Sequence, residues 1–168
     1  MAEAKHHESE VPVYGSPTKV FQFLDDHRRL SAHMTKPTWM LAGSRMTIQM
    51  DEQEGRALGS RISLSGRVLG VSLEVVEVVV EYAPPFSKRW RTVGSPKLLV
   101  IGSYEMGFSL TPREPDTTIL RVFINYTPPS HGVPRLLGML LSGVYARWCT
   151  ARMARDAANR FSPDSTVR

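Results

Sequence analysis

Val133-Pro-Arg-Leu-Leu-Gly-Met-Leu-Leu-Ser-Gly-Val-Tyr-Ala-Arg-Trp-Cys149, continuing to about Phe161, reads as one long amphipathic helix. Leu136, Leu137, Leu140, Leu141, Val144, Tyr145 and Trp148 recur at the three- and four-residue steps that share a helix face. Working back toward the start of the chain, the period changes from 3.6 to two. Leu120, Val122, Ile124 and Tyr126 alternate with mostly polar neighbours, as do Tyr104, Met106, Phe108 and Leu110. Ile62, Leu64 and Val68 do the same, and so do Met46, Ile48 and Met50. A period of two places one face of each strand in a core and the other in water. Arg89-Trp90-Arg91 adds a strand with Trp90 inward. Between Val71 and Tyr82 both faces are β-branched. Taking Val76, Val78, Val80 and Tyr82 as inward turns Glu77 and Glu81 to water but leaves Glu74 facing in, unless a bulge intervenes.

Ahead of the sheet, Val11-Pro-Val-Tyr14 reads as a short first strand. Ser16-Pro17 opens a helix, since serine caps and proline suits the first turn. Val20, Phe21 and Leu24 give that helix an apolar face, and Asp25-Asp26 ends it. A second short helix follows over His27–Met34, and Trp39-Met40-Leu41 forms an apolar connection. The expected fold is α+β: a curved antiparallel sheet of six or seven strands wrapped around a long C-terminal helix, with two short helices after strand 1. One domain covers residues 11–162, with flexible tails at 1–10 and 163–168. A length of 168 residues suits a single core.

The net charge of +5 understates the basic character of the folded part, because residues 1–10 carry −2 and leave +7 on the rest. The terminal helix holds Arg135, Arg147, Arg152, Arg155 and Arg160 against Asp156 alone. That pattern allows peripheral contact with an anionic membrane, or simply a solvated face with arginines near a helix end. No nucleic-acid motif is present, so a nucleic-acid partner is not expected. The single cysteine, Cys149, cannot form an intrachain disulfide, and the polar first ten residues are no secretory signal, so a cytoplasmic protein is expected. No Cys or His cluster has metal-ligand spacing, and neither metal nor cofactor is expected.

A strongly curved sheet cannot be filled by one helix about 10 Å across. Gly138 and Gly143 either leave room beneath the helix or let it approach the sheet closely. The inward set is rich in methionine and aromatics, which suits a pocket for flexible apolar molecules as well as a solid core. The candidate ligand-lining residues are Trp39, Met46, Ile48, Ile62, Leu64, Val76, Val78, Trp90, Tyr104, Met106, Phe108, Val122, Ile124, Tyr126, Leu137 and Leu141. Glu74, if inward, is the candidate catalytic acid or base, because low dielectric raises a carboxyl pKa. Tyr104 and Tyr126 could orient a ligand oxygen. Asp25-Asp26-His27 admits acid–base chemistry but equally a helix cap. Cys149, with no histidine near it in sequence, reads as a small apolar residue.

The order of elements resembles the START-like (SRPBCC) superfamily, which includes the birch-pollen-allergen type and the polyketide cyclase/dehydrase type. The carrying stretches are Val13-Tyr-Gly-Ser-Pro-Thr-Lys-Val-Phe-Gln-Phe-Leu24, Val79-Val-Glu-Tyr-Ala-Pro-Pro85 before Arg89-Trp90, Thr118-Ile-Leu-Arg-Val-Phe-Ile-Asn-Tyr126, and the helix with Tyr145-Ala-Arg-Trp148. The resemblance implies the helix-grip fold with a deep ligand cavity between sheet and helix. It carries over no catalytic residue. The expected function is binding of a small hydrophobic ligand: a lipid, an aromatic or a polyketide-like molecule. The alternatives are an enzyme of the polyketide cyclase/dehydratase type, or a membrane-associated adaptor similar to the carbon monoxide dehydrogenase type within the same superfamily.

Overall fold

The computed structural model describes residues 4–30, 46–68, 70–113, 115–129 and 132–163. Seven strands form one antiparallel sheet: β1 (Lys5–Tyr14), β2 (Met46–Met50), β3 (Arg61–Val68), β4 (Val71–Ala83), β5 (Ser87–Lys97), β6 (Tyr104–Arg113) and β7 (Thr117–Tyr126). Their order across the sheet is β1-β7-β6-β5-β4-β3-β2. Strands β2 to β7 follow one another as a meander, and only β1 returns from the start of the chain to pair with β7. Two short helices, α1 (Pro17–Leu24) and α2 (His27–Leu30), lie between β1 and β2, and α3 (Gly132–Arg160) closes the chain.

Lys5–Glu10, expected as a flexible tail, is the first half of β1, with Lys5 opposite Tyr126 and Glu10 opposite Arg121. The stretch looked unstructured because its outward positions are charged and its inward ones, His7 and Ser9, are polar. Ser9 meets α3 through a hydroxyl–hydroxyl hydrogen bond of 2.9 Å to Thr150. Thr150 and the buried Ala146, Cys149, Met153, Ala154 and Ala157 seat the second half of α3 on β1 and β7. Gly138 serves close approach to a loop rather than to the sheet. A Cβ there would lie 2.4 Å from Pro129 Cδ and 3.1 Å from the Val100 carbonyl oxygen.

The alternation on β2, β3, β5, β6 and β7 is as expected, with Ile62, Leu64, Trp90, Phe108, Leu120, Val122 and Ile124 all in the core. β4 is out of phase with the expectation. Leu73, Val75, Glu77 and Val79 are its buried side chains, whereas Val76, Val78 and Val80 are only half-buried and Glu74 is exposed. Two register irregularities explain this, one between Glu74 and Val76 and one between Val79 and Glu81. The extra residue at the second one, Val80, moves the inward positions from odd to even numbers, so Tyr82 still faces in.

α1 begins at Pro17 after an extended Ser16, whose hydroxyl makes no capping bond, and it buries Val20, Phe21 and Leu24. Phe21 meets Phe108 edge-to-face at 5.5 Å, which plugs the α1 end of the sheet's concave side.

Candidate functional site

The concave face buries two polar clusters that adjoin across β4 and β5. In the first, Glu77 accepts a hydrogen bond from the Tyr104 hydroxyl on one carboxylate oxygen, and His27 Nε2 lies 3.0 Å from the other. His27 is 1% exposed and Glu77 3%. With Nε2 donating to the carboxylate, Nδ1 holds a lone pair, and that buried atom has no hydrogen-bond partner. The imidazole also stands edge-on to Trp90 at 5.2 Å. Burial, and then the adjoining Glu77 charge, push the Tyr104 phenol well above its ordinary range.

In the second cluster, Lys88 Nζ donates to Asp25 Oδ1 at 2.8 Å and to the Asp25 carbonyl at 3.3 Å. The Tyr82 hydroxyl donates to Asp25 Oδ2 at 2.8 Å. Lys88 has no exposed surface, and burial pulls its pKa down against the opposing pull of Asp25. Desolvation, and then the Asp25 carboxylate, push the Tyr82 phenol up to about 12. Asp25 is the C-cap of α1, its N–H bonded to Phe21 O at 2.7 Å. The ion pair therefore clamps the turn between α1 and α2 onto the sheet. Two residues further on, that turn delivers His27 to Glu77.

Beneath α3, burial pushes the Cys149 thiol up to about 12, although Tyr145 hydrogen-bonds it and pulls the other way. A thiol that stays protonated is no nucleophile. Among the described residues no group of His, Cys, Asp and Glu could hold a metal ion.

Most of the expected lining residues converge on this face. Met46, Ile62, Leu64, Trp90, Tyr104, Met106, Phe108, Val122, Ile124 and Tyr126 are all buried there, and Ile48 is half-buried. Val76 and Val78 are on the opposite face, for the register reason given above. Leu137 is half-buried, and Leu141, expected under the helix, is 44% exposed. Trp39 lies outside the described residues. Glu74, expected as the inward acid, stands on the outer face 4.0 Å from Lys97. The inward acid is Glu77. Lys88 was legible in principle, since Trp90 inward places residue 88 inward by the same period of two.

A cleft of about 700 Å³ opens at the end of the sheet where α3 begins. Leu73, Leu98, Ile101, Pro128 and Pro134 supply much of its wall. That volume is within the range of small-molecule sites. None of the expected lining residues borders the cleft, but Tyr104 and Tyr126 directly follow and precede its Ser103 and Thr127. Along β4, Glu77 lies four residues, about 13 Å, deeper than Leu73 at the cleft wall. Packing is closed at the α1 end, where Val13, Val20 and Leu120 expose nothing. Leu73, Tyr104 and Met106 retain 5%, 8% and 6%. The remaining free surface of the core thus lies toward the cleft and the Tyr104–Glu77 pair.

Solved structures share this architecture. A Thalictrum flavum norcoclaurine synthase point mutant in complex with a transition-state analogue matches with a TM-score of 0.66 at 10% identity, over 98% of each chain. The Zhui aromatase/cyclase of Streptomyces sp. R1128 matches at 0.63 and 15% identity, over 96% of this chain and 98% of that one. Ara h 8.0201 matches at 0.58 and 11% identity, over 92% and 98%. The fold is the helix-grip fold of the START-like superfamily. No family model matches the sequence, and no curated protein does. At such identities the likeness is one of fold, and the polar clusters of this helix-grip chain have to be read from their own geometry.

Proposed function

We propose that this helix-grip protein binds a small hydrophobic molecule (a lipid, an aromatic or a polyketide-like compound) between the sheet and α3, admitted from the cleft bounded by Leu73, Ile101 and Pro134. The carrying observation is the buried Tyr104–Glu77–His27 chain set in a wall of methionine and aromatic side chains. Burying ionisable groups is costly unless they are paired, so a polar chain at the loosely packed end of an apolar core suits recognition of a polar atom on an otherwise greasy ligand. Tyr104 would orient a ligand oxygen, and Met106 and Trp90 would shape the apolar part. The fold likeness to ligand-complexed proteins supports the reading.

Native mass spectrometry of the purified chain, followed by solvent extraction, is expected to reveal a bound small apolar molecule. Tyr104→Phe keeps the ring and removes the hydroxyl, and should weaken binding of that molecule by about 1 kcal/mol, roughly fivefold. Absence of any bound molecule, together with no saturable uptake of a fluorescent apolar probe, would overturn the reading.

A second reading, an enzyme of the cyclase or dehydratase type, is favoured by one specific feature. A carboxylate bridging a phenol and an imidazole is a set of groups that can take a proton from one atom and supply one to another. On this reading Glu77→Gln abolishes turnover and spares ligand affinity. Unchanged turnover clears Glu77.

A further inference from the structure

The first half of α3 is not buried as its composition predicts. Leu136, Met139, Leu140, Leu141 and Val144 are 63%, 63%, 70%, 44% and 52% exposed. Leu136, Leu140 and Val144 are four residues apart and share the outward side, and at 3.6 residues per turn Arg147 and Arg155 continue the same side toward the C-terminus. Both arginines are exposed. The outward face is therefore apolar for its first three turns and basic thereafter. Between Leu136 and Ala146 the helix carries no charge at all, and its one acid, Asp156, is paired with Arg152. Across the adjacent cleft Val71 is 47% exposed, so the apolar surface continues around the cleft rim. An uninterrupted patch of this kind is unusual on a monomer surrounded by water.

The charge pattern selects the occupant. A second copy laid on this face would bring arginines against arginines, with no carboxylate on the helix left to receive them. A bilayer with anionic headgroups offers hydrocarbon for the leucines and phosphates for the arginines. We propose that this protein docks peripherally on anionic bilayers, with the exposed apolar half of α3 entering the hydrocarbon boundary and Arg147 and Arg155 meeting the lipid phosphates. The proposal stands independently of the ligand reading, because it uses only the outer face of α3.

The test is flotation of the full chain with phosphatidylcholine vesicles, with and without phosphatidylglycerol, at low and high salt. The wild type is expected to float with the phosphatidylglycerol vesicles and to lose most, but not all, of that binding in high salt. Leu136→Glu with Leu140→Glu should lower partitioning by at least about tenfold. Both sites face water, so the circular dichroism and melting of this variant should match the wild type. Should it not fold, Leu140→Trp serves instead: the emission added by the new indole is expected to shift to the blue and be quenched by brominated lipid. Failure of the wild type to float at low salt would overturn the proposal. So would flotation of the double variant at the wild-type level, an added indole emission indifferent to vesicles, or dimerisation through this face without flotation.

Discussion

Lys88 is the residue on which the candidate site depends most, though it touches neither Glu77 nor Tyr104. It holds Asp25, and Asp25 anchors the turn that carries His27. Removing one member of a buried ion pair leaves a charge without compensation. Lys88→Met should cost about 3–5 kcal/mol in denaturant unfolding. Adding Asp25→Asn should recover about 1–3 kcal/mol, because an amide needs no counter-charge. If the double variant is as unstable as the sum of the singles, the pair does not act as a unit. The clue to Lys88 was present in the inward Trp90, two residues along β5. The clue to Glu77 was hidden, because an acid in a β-branched run is read as outward unless the bulge at Val80 is known. His27 was visible only as a residue near a helix break. What it faces depends on β4, fifty residues away.

At the scale of elements, β1 differs most from its expectation. Composition marks Lys5–Glu10 as a tail, but the strand is defined by its neighbours: β7 supplies the ladder and Thr150 of α3 supplies a partner for Ser9. Tertiary pairing overrides a polar sequence in a way that no local pattern discloses. Deleting residues 1–10 should therefore destabilise the protein by at least about 2 kcal/mol and lower its Tm by roughly 4–8 °C. A truncated chain melting with the wild type would show that the first half of β1 contributes nothing. α3 shows the reverse case. Its existence and bounds were legible to within a residue or so, since helical period and length agree. Which side of it is covered was not, because Leu136 and Leu140 look identical to core leucines until the sheet is seen to end beneath the second half of the helix.

For the whole molecule, the buried acids of high pKa set an alkaline limit. Cys149 is held up to about 12 from an ordinary 9.0, and Tyr82 to about 12 from 10.0. Burial likewise pushes Tyr104 and Tyr145 well above 10.0. Each keeps its proton when folded and would lose it when unfolded, so this stability is complete below about pH 9 and declines as pH rises toward 12. Lys88, whose pKa is lowered, works in the opposite sense and offsets one of the four. Denaturant midpoints should fall progressively through that window, and Cys149→Ala should flatten the fall. Midpoints independent of pH there would contradict the burial of these groups.

The pairing of β1 with β7 also sets a timetable. Since 119 residues separate His6 from Asn125, the first strand to leave a ribosome is the last to find its neighbour. Until then the meander from β2 onward has an open edge at β7, and α3 has nothing to lie on. Closure is a single late event spanning the chain, which makes folding slow for a protein of this size and leaves the nascent chain dependent on protection from its own unpaired edges.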